Sequence, residues 1–216
     1  MISFIVIFLL SYLTGSIPTS IIVGKVLRGI DIREHGSGNA GGTNVFRVLG
    51  WKPGVFVMAV DVGKGVVATL LISQIRIDPL PVAIDPVLMK LFAGIFTILG
   101  HIWTIFAGFR GGKGVGTAAG VFVALYPVAI LICAVIWGSM LLTTRIMSMS
   151  SMTAALCLPI TLFIMKQFWG VELHPVLFAL SIVLALLIVF THRSNIKRLI
   201  NREENRFKPI WKAGKK

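Results

Sequence analysis

The amino-acid sequence predicts an all-α integral membrane protein with seven membrane-spanning helices. Of its 216 residues, 56% are hydrophobic and only 13% are charged, whereas a soluble domain has about 25% charged residues. The apolar residues fall in runs of about 17–22 residues, which as helices can cross a bilayer. The net charge is +13. Together with the apolar runs, this charge argues against a secreted domain and against a soluble DNA-binding protein.

Helix-breaking residues separate the apolar runs. The amino-terminal run lacks the basic region and the small-residue cleavage site of a signal peptide, so we expect it to be retained as the first span. Breakers follow at Pro53-Gly54, Asp78-Pro79, Asp85-Pro86 and His174-Pro175. The predicted spans are residues 2–24, 54–75, 87–107, 114–125, 127–143, 149–165 and 175–191, within a single domain of residues 1–216.

The apolar block 114–143 decides the number of spans. It is either one long helix or two helices that meet at Tyr126-Pro127. One helix would leave 8 Lys and Arg on the side of segment 25–53 and 12 on the other side, whereas two helices leave 17 and 3. Lys64 lies within a span and is left out of both sums. Because cytoplasmic loops carry an excess of Lys and Arg, we predict two helices, an outside amino terminus and a cytoplasmic carboxyl terminus. Residues 114–125 would rise only ~18 Å against ~30 Å of hydrocarbon, so this span is expected to be short or partly re-entrant.

A glycine-rich segment follows the first span. It reads Gly36-Ser37-Gly38-Asn39-Ala40-Gly41-Gly42-Thr43-Asn44, and Arg47 comes shortly after it. Dense glycines let backbone N–H groups turn toward an anion, and the Ser, Asn and Thr side chains add neutral donors. Arg47 carries a planar fork suited to phosphate. The alternative is a flexible linker, but linkers are rich in Gly and Ser without clustered Asn, Thr and Arg.

A second glycine-rich segment precedes the fourth predicted span. Arg110-Gly111-Gly112-Lys113-Gly114 leads directly into an apolar helix. A glycine loop with a Lys before a helix start favours phosphate binding. It is not a Walker A loop, because that motif requires Gly at position 107 and Ser or Thr at position 114, where this chain has Ala107 and Gly114. The alternative is a basic loop that only orients the protein in the membrane.

Asp61, Lys64 and His101 are ionisable residues within predicted spans and lie close to polar motifs. Asp61 and Lys64 are three residues apart, so they can share a helix face and form an ion pair. Such groups usually face a bundle interior or a wet cavity. We expect both to line a cavity without a direct catalytic role, and a purely structural ion pair is the alternative. His101, taken alone, is typical of a packing histidine.

Polar residues recur where the last span emerges. His192, Asn195 and Leu199 follow helical spacing and can face one site. Ser148 and Ser150, near a cytoplasmic loop, are weaker candidates. The basic residues from Lys197 onward favour anionic lipid head groups instead.

Neither a disulfide nor a metal site is expected. Cys133 and Cys157 lie inside apolar runs and are typical of small buried hydrophobic residues. The histidines and carboxylates do not follow a metal-binding spacing. The sequence therefore predicts no cofactor.

Taken together, the polar segments resemble a known family. GSGNAGGTNVFRVLG, DVGKG, GHIWTIFAGFRGGKGVGTAAG and HRSNIKRLINREENRF are similar to the signature segments of the bacterial acyl-phosphate:glycerol-3-phosphate acyltransferases, the PlsY family. The resemblance runs in order from Gly15 to about Phe207. The chain departs from the family at Thr104, Arg110, Gly116 and Arg202, where the family commonly has Pro, Lys, Ala and Gly.

The resemblance implies a seven-span enzyme of the bacterial inner membrane, and the predicted topology puts its active site on the cytoplasmic side. The expected reaction moves a fatty acyl group from acyl phosphate to the 1-hydroxyl of glycerol 3-phosphate. The product would be lysophosphatidic acid for phospholipid synthesis. Expected partners are the two substrates, anionic membrane lipid and the soluble enzyme that makes acyl phosphate, and no nucleic acid is expected.

The resemblance also implies roles for individual residues. The expected catalytic group is His192, Asn195, Lys113 and Arg47. The expected substrate-binding group is Ser37, Gly38, Asn39, Gly41, Thr43, Asn44, Gly111, Gly112, Gly114, Ser148 and Ser150. The two glycine-rich segments would hold the acyl phosphate group, although the sequence does not determine which phosphate occupies which segment.

The expected chemistry needs no covalent enzyme intermediate, because acyl phosphate is a mixed anhydride with a good leaving group. Positioning and charge stabilisation can supply most of the rate. The hydroxyl proton passes either to His192, the one titratable base among the candidates, or to a substrate phosphate. No Asp stands four or five residues after any of the four histidines. The His-x4-Asp motif of other acyltransferases is therefore absent, which favours substrate-assisted attack.

Two other functions fit parts of the sequence. A transporter of a phosphorylated solute would suit half-helices around a polar cavity, but the polar motifs cluster on one side and inverted repeats are not evident. A structural protein that binds anionic lipid would not need the Asn and Thr of the first glycine-rich segment.

Overall fold

A computed structural model of the chain describes residues 2–78 and 85–207. All regular secondary structure within these ranges is helical, which confirms the predicted all-α class. The helices are α1 (Ile2–Ser16), α2 (Thr19–Arg28), α3 (Gly42–Leu49), α4 (Trp51–Leu70), α5 (Pro86–Ile102), α6 (Val115–Leu125), α7 (Pro127–Thr144), α8 (Met147–Trp169), α9 (Pro175–Thr191) and α10 (Arg193–Ile200). Single 3-10 turns occur at Ile32–Glu34, Ile72–Gln74 and Ile105–Ala107.

Each of the seven predicted spans contains a helix. Five helical segments are long and apolar enough to cross a membrane, and a sixth qualifies if α9 and α10 count as one span with a 58° bend. α6 is apolar but has only 11 residues. The predicted break in block 114–143 is confirmed, because α6 ends at Leu125 and α7 begins at Pro127. The predicted breaker at Pro79 and the basic tail from residue 208 lie outside the described residues.

The first predicted span differs from one continuous helix. α1 ends at Ser16 and α2 begins at Thr19, with Pro18 between them. Proline lacks the backbone N–H that would continue the helix, so it interrupts the hydrogen-bond ladder. The start of α1 is held from a distance, because the Asp78 carboxylate accepts the Ile2 N–H at 3.0 Å and the Ser3 N–H at 2.9 Å. Acceptors at this position satisfy amides that have no partner within the helix.

The chain divides into two compact units, with the boundary between Pro127 and Val128. In the first unit, glycines allow close helix pairs. A Cβ on Gly15 of α1 would collide with the Thr97 backbone of α5, and a Cβ on Gly120 of α6 would collide with the Val62 carbonyl of α4. Small residues at helix contacts are characteristic of membrane bundles, where van der Waals packing drives association. The core beside the first glycine-rich segment is formed by Ile21, Ile32, Ala40, Val45 and Val57.

The second unit contains α7 to α10, and α8 packs against α9. α9 ends at Thr191, and the chain turns at His192 before α10 begins. This turn brings the last motif onto a separate short helix. Cys133 is a buried free thiol, as predicted, whereas the Cys157 thiol is only half-buried.

Candidate active site

The first glycine-rich segment is shaped by Asn44, which lies in the first turn of α3 and is 1% exposed. Its Oδ1 accepts the Ser37 N–H at 2.8 Å. Its Nδ2 donates to the Ile32 carbonyl at 2.8 Å and to the His35 carbonyl at 2.9 Å. The side-chain amide of Asn44 is therefore engaged in holding the loop, which is a different use from the substrate contact that the sequence predicts.

The remaining predicted residues of this segment lie on the loop and on one face of α3. Thr43 and Arg47 are four residues apart on α3, so they share a face. Both are half-buried, as are Ser37, Asn39 and Gly41, whereas Gly38 is exposed. Gly38 has a φ of +72°, a conformation that glycine adopts readily. The segment thus presents a hydroxyl, an arginine and loop amides beside one another.

The second glycine-rich segment uses two of its amides to dock on the end of α5. The Gly111 N–H donates to the Ile102 carbonyl and the Gly112 N–H donates to the His101 carbonyl, both at 3.0 Å. The chain then passes Lys113 and enters α6 through Gly114, which has a φ of +83°. The first amides of α6 have no partner inside the helix and carry the positive end of its dipole. The donors suited to an anion are therefore those after Lys113, while Gly111 and Gly112 fix the loop.

The two glycine-rich segments meet in the first unit. The Ala40 carbonyl lies 3.1 Å from the position that a Cβ on Gly112 would occupy. A second link joins the same regions, because Arg33 Nη1 donates to the Ala107 carbonyl at 2.8 Å. A small cavity between the segments is lined by residues that include Ala40, Gly111 and Gly112. The sequence did not single out Arg33.

Arg33 is itself held by Asp31. The two side chains pair at 2.7 Å between Nη2 and Oδ2. Hydrogen bonding from the Arg33 side chain outweighs the effect of burial and lowers the pKa of Asp31 to about 2. This local pair orients the guanidinium whose other nitrogen reaches Ala107.

Asp61, Lys64 and His101 lie beneath the second segment. Lys64 Nζ is 2.8 Å from Asp61 Oδ1, which confirms the predicted pairing. Asp61 and His101 also line the cavity between the two segments. The ion pair is therefore present and Asp61 lines the cavity, whereas Lys64 is not among the lining residues.

In the second unit, three side chains converge on Glu204. Ser148 Oγ donates to Oε1 at 2.9 Å and Asn195 Nδ2 donates to the same oxygen at 2.6 Å. Arg198 Nε donates to Oε2 at 2.7 Å. Burial opposes ionisation of the carboxyl, but these hydrogen bonds outweigh it and lower the pKa of Glu204 below its usual value. Sequence reasoning missed Glu204, although it stands inside the last segment that resembles the family.

His192 has a defined tautomer. The side chain is buried, and Nδ1 lies 2.8 Å from the Ile188 carbonyl. A carbonyl only accepts, so Nδ1 carries the hydrogen and neutral imidazole keeps its lone pair on Nε2. Ser150 differs from Ser148, because its hydroxyl donates to the Ile146 carbonyl of its own helix turn at 3.0 Å.

A family model described as glycerol-3-phosphate acyltransferase matches residues 5–202. The chain belongs to this family. The glycerol-3-phosphate acyltransferase of Salinibacter ruber is 45% identical over 210 residues, covering 94% of this chain and 92% of that protein. The protein of that name from Chlorobium phaeobacteroides (strain BS1) is 41% identical over 231 residues, covering 96% and 98%.

A solved structure of this family has the same fold. The crystal structure of PlsY, an integral membrane glycerol 3-phosphate acyltransferase, in its glycerol 3-phosphate form has a TM-score of 0.83 and 36% identity, covering 99% of this chain and 100% of that chain. Its lysophosphatidic acid form has a TM-score of 0.78 and 36% identity, covering 95% and 96%. The predicted family is confirmed, and the protein is an integral membrane acyltransferase.

Two departures from the glycerol-3-phosphate acyltransferase family pattern have visible consequences. Thr104, where the family commonly has Pro, donates its hydroxyl to the Ser16 carbonyl at the end of α1. Arg202, where the family commonly has Gly, has a φ of +60°. A bulky side chain is disfavoured in this left-handed conformation, which glycine adopts without penalty.

Proposed function

We propose that this protein transfers a fatty acyl group from acyl phosphate to the 1-hydroxyl of glycerol 3-phosphate, forming lysophosphatidic acid and phosphate for phospholipid synthesis. The observation that carries the proposal is the meeting of the two glycine-rich segments at Ala40 and Gly112, next to the start of α6. Loop amides, Lys113 and a helix dipole together suit a phosphate group.

At the acyl carbon, the reaction forms one bond and breaks one bond. The hydroxyl oxygen of glycerol 3-phosphate attacks the acyl carbonyl carbon, and the bond from that carbon to the phosphate oxygen breaks. The electron pair leaves with phosphate, whose negative charge Lys113 and the α6 amides would stabilise. The hydroxyl proton passes to Nε2 of His192 or to a substrate phosphate. The tautomer set by Ile188 supports the first route, because it keeps a lone pair on Nε2.

Two groups of residues would bind the substrates. For the acyl phosphate group we propose the two glycine-rich segments, in which Asn44, Gly111 and Gly112 shape the loops and the exposed donors contact phosphate. The full set proposed for this role is Ser37, Gly38, Asn39, Gly41, Thr43, Asn44, Gly111, Gly112 and Gly114. For glycerol 3-phosphate we propose Arg47, Ser148, Ser150, His192 and Asn195, together with Lys113, which would contact the phosphates of both substrates. Both serine hydroxyls donate their proton within the protein, Ser148 to Glu204 and Ser150 to the Ile146 carbonyl, so each would meet the substrate as a hydrogen-bond acceptor.

The proposal includes the membrane arrangement. We propose seven crossings in one functional domain, with the amino terminus outside, the carboxyl terminus in the cytoplasm and the active site at the cytoplasmic face of the bacterial inner membrane. The distribution of Lys and Arg, 17 against 3, supports this orientation. Anionic lipid at the basic tail and the soluble enzyme that makes acyl phosphate are the proposed partners.

The function is tested by an assay of the purified protein. Labelled glycerol 3-phosphate is added together with either acyl phosphate or acyl-CoA as the acyl donor. We expect labelled lysophosphatidic acid from acyl phosphate alone. Product from acyl-CoA alone would overturn the proposed donor, and no product from either would overturn the proposed reaction. A Lys113→Met protein is the negative control, because it loses the cation next to the leaving phosphate.

A further inference from the structure

A cluster of buried ionisable residues lies beneath the second glycine-rich segment, and the proposed reaction assigns it no role. Asp61 and Lys64 on α4 are each 5% exposed, and His101 near the end of α5 is 8% exposed. His101 Nδ1 lies 3.6 Å from Asp61 Oδ1, the same oxygen that Lys64 contacts. Ionisable groups inside a membrane span are costly and usually functional. The cluster therefore requires an explanation beyond packing.

The cluster joins separate segments of the first unit. Lys64 Nζ donates to the Ile17 carbonyl at 2.6 Å, in the break between α1 and α2. Asp61 lies beside the start of α6, where a Cβ on Gly116 would be 3.3 Å from the Asp61 Cβ. Four segments thus converge on one charged group: the α1–α2 break, α4, the end of α5 and the start of α6.

His101 contacts the glycine-rich loop in two ways. Its carbonyl accepts the Gly112 N–H at 3.0 Å. Its ring lies under the same residue, because Nε2 occupies the space that a Cβ on Gly112 would require. Asp61 holds the opposite edge of the ring at Nδ1. The position of Gly112, and with it the path of the chain through Lys113 into α6, depends on where this ring is held.

We propose that His101 is a positioning residue, held by Asp61 and Lys64, that sets the Gly111–Gly114 loop in its phosphate-binding conformation. This inference rests on the proposed function, because it assumes that the loop binds the phosphate of a substrate. His101 acts through the loop and does not itself contact the reacting atoms. Its loss displaces Lys113 and the α6 amides together, which weakens binding of whichever phosphate the loop holds.

The test is a double-substitution experiment on His101 and Gly112. His101→Ala removes the ring, and Gly112→Ala pushes a methyl group against it. We expect each single variant to raise the KM of one phosphate-bearing substrate by at least about tenfold, since small misplacements of a binding group are costly. The double variant places the new methyl group in the vacated space. We therefore expect its KM to be lower than that of either single variant, which is strong non-additivity between contacting residues.

A control variant is measured in the same KM assay. Thr97→Val is the matched control, because Thr97 is fully buried on α5 one turn before His101 and its hydroxyl donates to Ala93 within the helix. We expect both KM values to be unchanged in this variant. The positioning role would be overturned if His101→Ala kept wild-type KM values and lost only melting temperature. It would also be overturned if the effects of the two substitutions on KM were independent in the double variant.

Two further measurements keep the test decisive. If His101→Ala is not recovered folded, His101→Asn replaces it, because Asn keeps a donor for Asp61 but lacks the ring edge under Gly112. The same rise in KM is expected, and a wild-type KM in this variant overturns the proposal. The wild-type protein is assayed first with acyl phosphate. If the wild type forms product and the variants keep its KM values, only the role of His101 is refuted. If the wild type forms no product, the proposed function is refuted.

Discussion

In the first unit the glycine-rich loop before α6 is fastened by backbone hydrogen bonds, whereas in the second unit the polar cluster around Glu204 is built from side chains. The loop before α6 is held by carbonyls of His101 and Ile102 that accept glycine amides. In the second unit a single carboxylate, Glu204, collects donors from α8 and α10. A backbone-built site is sensitive to added atoms at glycines, while a side-chain-built site is sensitive to the loss of one charged group.

The largest effect is expected from His192→Ala in the second unit. If Nε2 of His192 takes the hydroxyl proton, its removal lowers kcat by at least about 100-fold, because general-base catalysis is worth about 10²–10⁴. The measurement is kcat at saturating concentrations of both substrates. His174→Asn is the control, since Asn can keep the cap that His174 provides at the Val176 N–H. A loss of less than about tenfold would show that a substrate phosphate accepts the proton.

The next effect concerns the glycine contacts of the first unit. Gly65→Ala on α4 places a methyl group against the Thr117 carbonyl of α6 and 2.7 Å from the Val121 nitrogen. Because backbone cannot move aside as a side chain can, we expect a drop of several degrees in melting temperature or loss of folded protein. Gly63→Ala, two residues earlier, has no neighbour within 4 Å. The melting temperature of this matched variant should be unchanged or slightly higher, because Ala favours helix over Gly.

A smaller effect is expected from Glu204→Gln. The charged hydrogen bond to Arg198 is lost, and bonds to charged groups are worth about 1.5–3 kcal/mol, so we expect about tenfold lower kcat/KM if the cluster positions Asn195 and Ser148. Glu203→Gln changes the neighbouring exposed carboxylate and serves as the control. Wild-type kcat/KM in Glu204→Gln would separate the cluster from catalysis.

Glu204→Gln should also change how the melting temperature depends on pH. The pKa of Glu204 is lower in the folded protein than its usual value. Its carboxylate therefore stabilises the fold above the unfolded-state pKa of about 4.3, and this stabilisation is lost as pH falls through the lowered value. In Glu204→Gln this part of the acid dependence of the melting temperature should disappear. Glu203→Gln should retain it.

The parts of the fold that the sequence predicted are those with local causes. Apolar runs bounded by proline gave the helices, and the Tyr126-Pro127 break followed from the charge distribution. The pairing of Asp61 with Lys64 followed from their spacing of three residues. Pro18 also breaks the first span locally, although the run around it is apolar enough to be predicted as one helix.

The parts that could not be predicted depend on distant partners. Nothing in the local sequence indicates that the Asn44 side chain donates to the Ile32 and His35 carbonyls, or that the Gly112 N–H donates to the His101 carbonyl. Glu204 reaches Ser148 across 56 residues of sequence. Such contacts depend on how helices and turns are placed in space, which periodicity and composition do not contain.

The smallest expected effect concerns the turn that delivers Glu204 to its partners. α10 ends in a Schellman motif, in which the Arg202 N–H donates to the Leu199 carbonyl at 3.1 Å and the Glu203 N–H donates to the Arg198 carbonyl at 2.8 Å. This motif requires a left-handed residue, and Arg202 occupies it at a φ of +60°. Glycine adopts this conformation without the steric cost that a Cβ brings, about 1 kcal/mol. Arg202→Gly should therefore raise the melting temperature by a few degrees and leave kcat/KM unchanged. Arg206→Gly, at a nearby exposed position without positive φ, should not raise the melting temperature. Equal changes of melting temperature in the two variants would show that the charge of Arg202 matters more than its conformation.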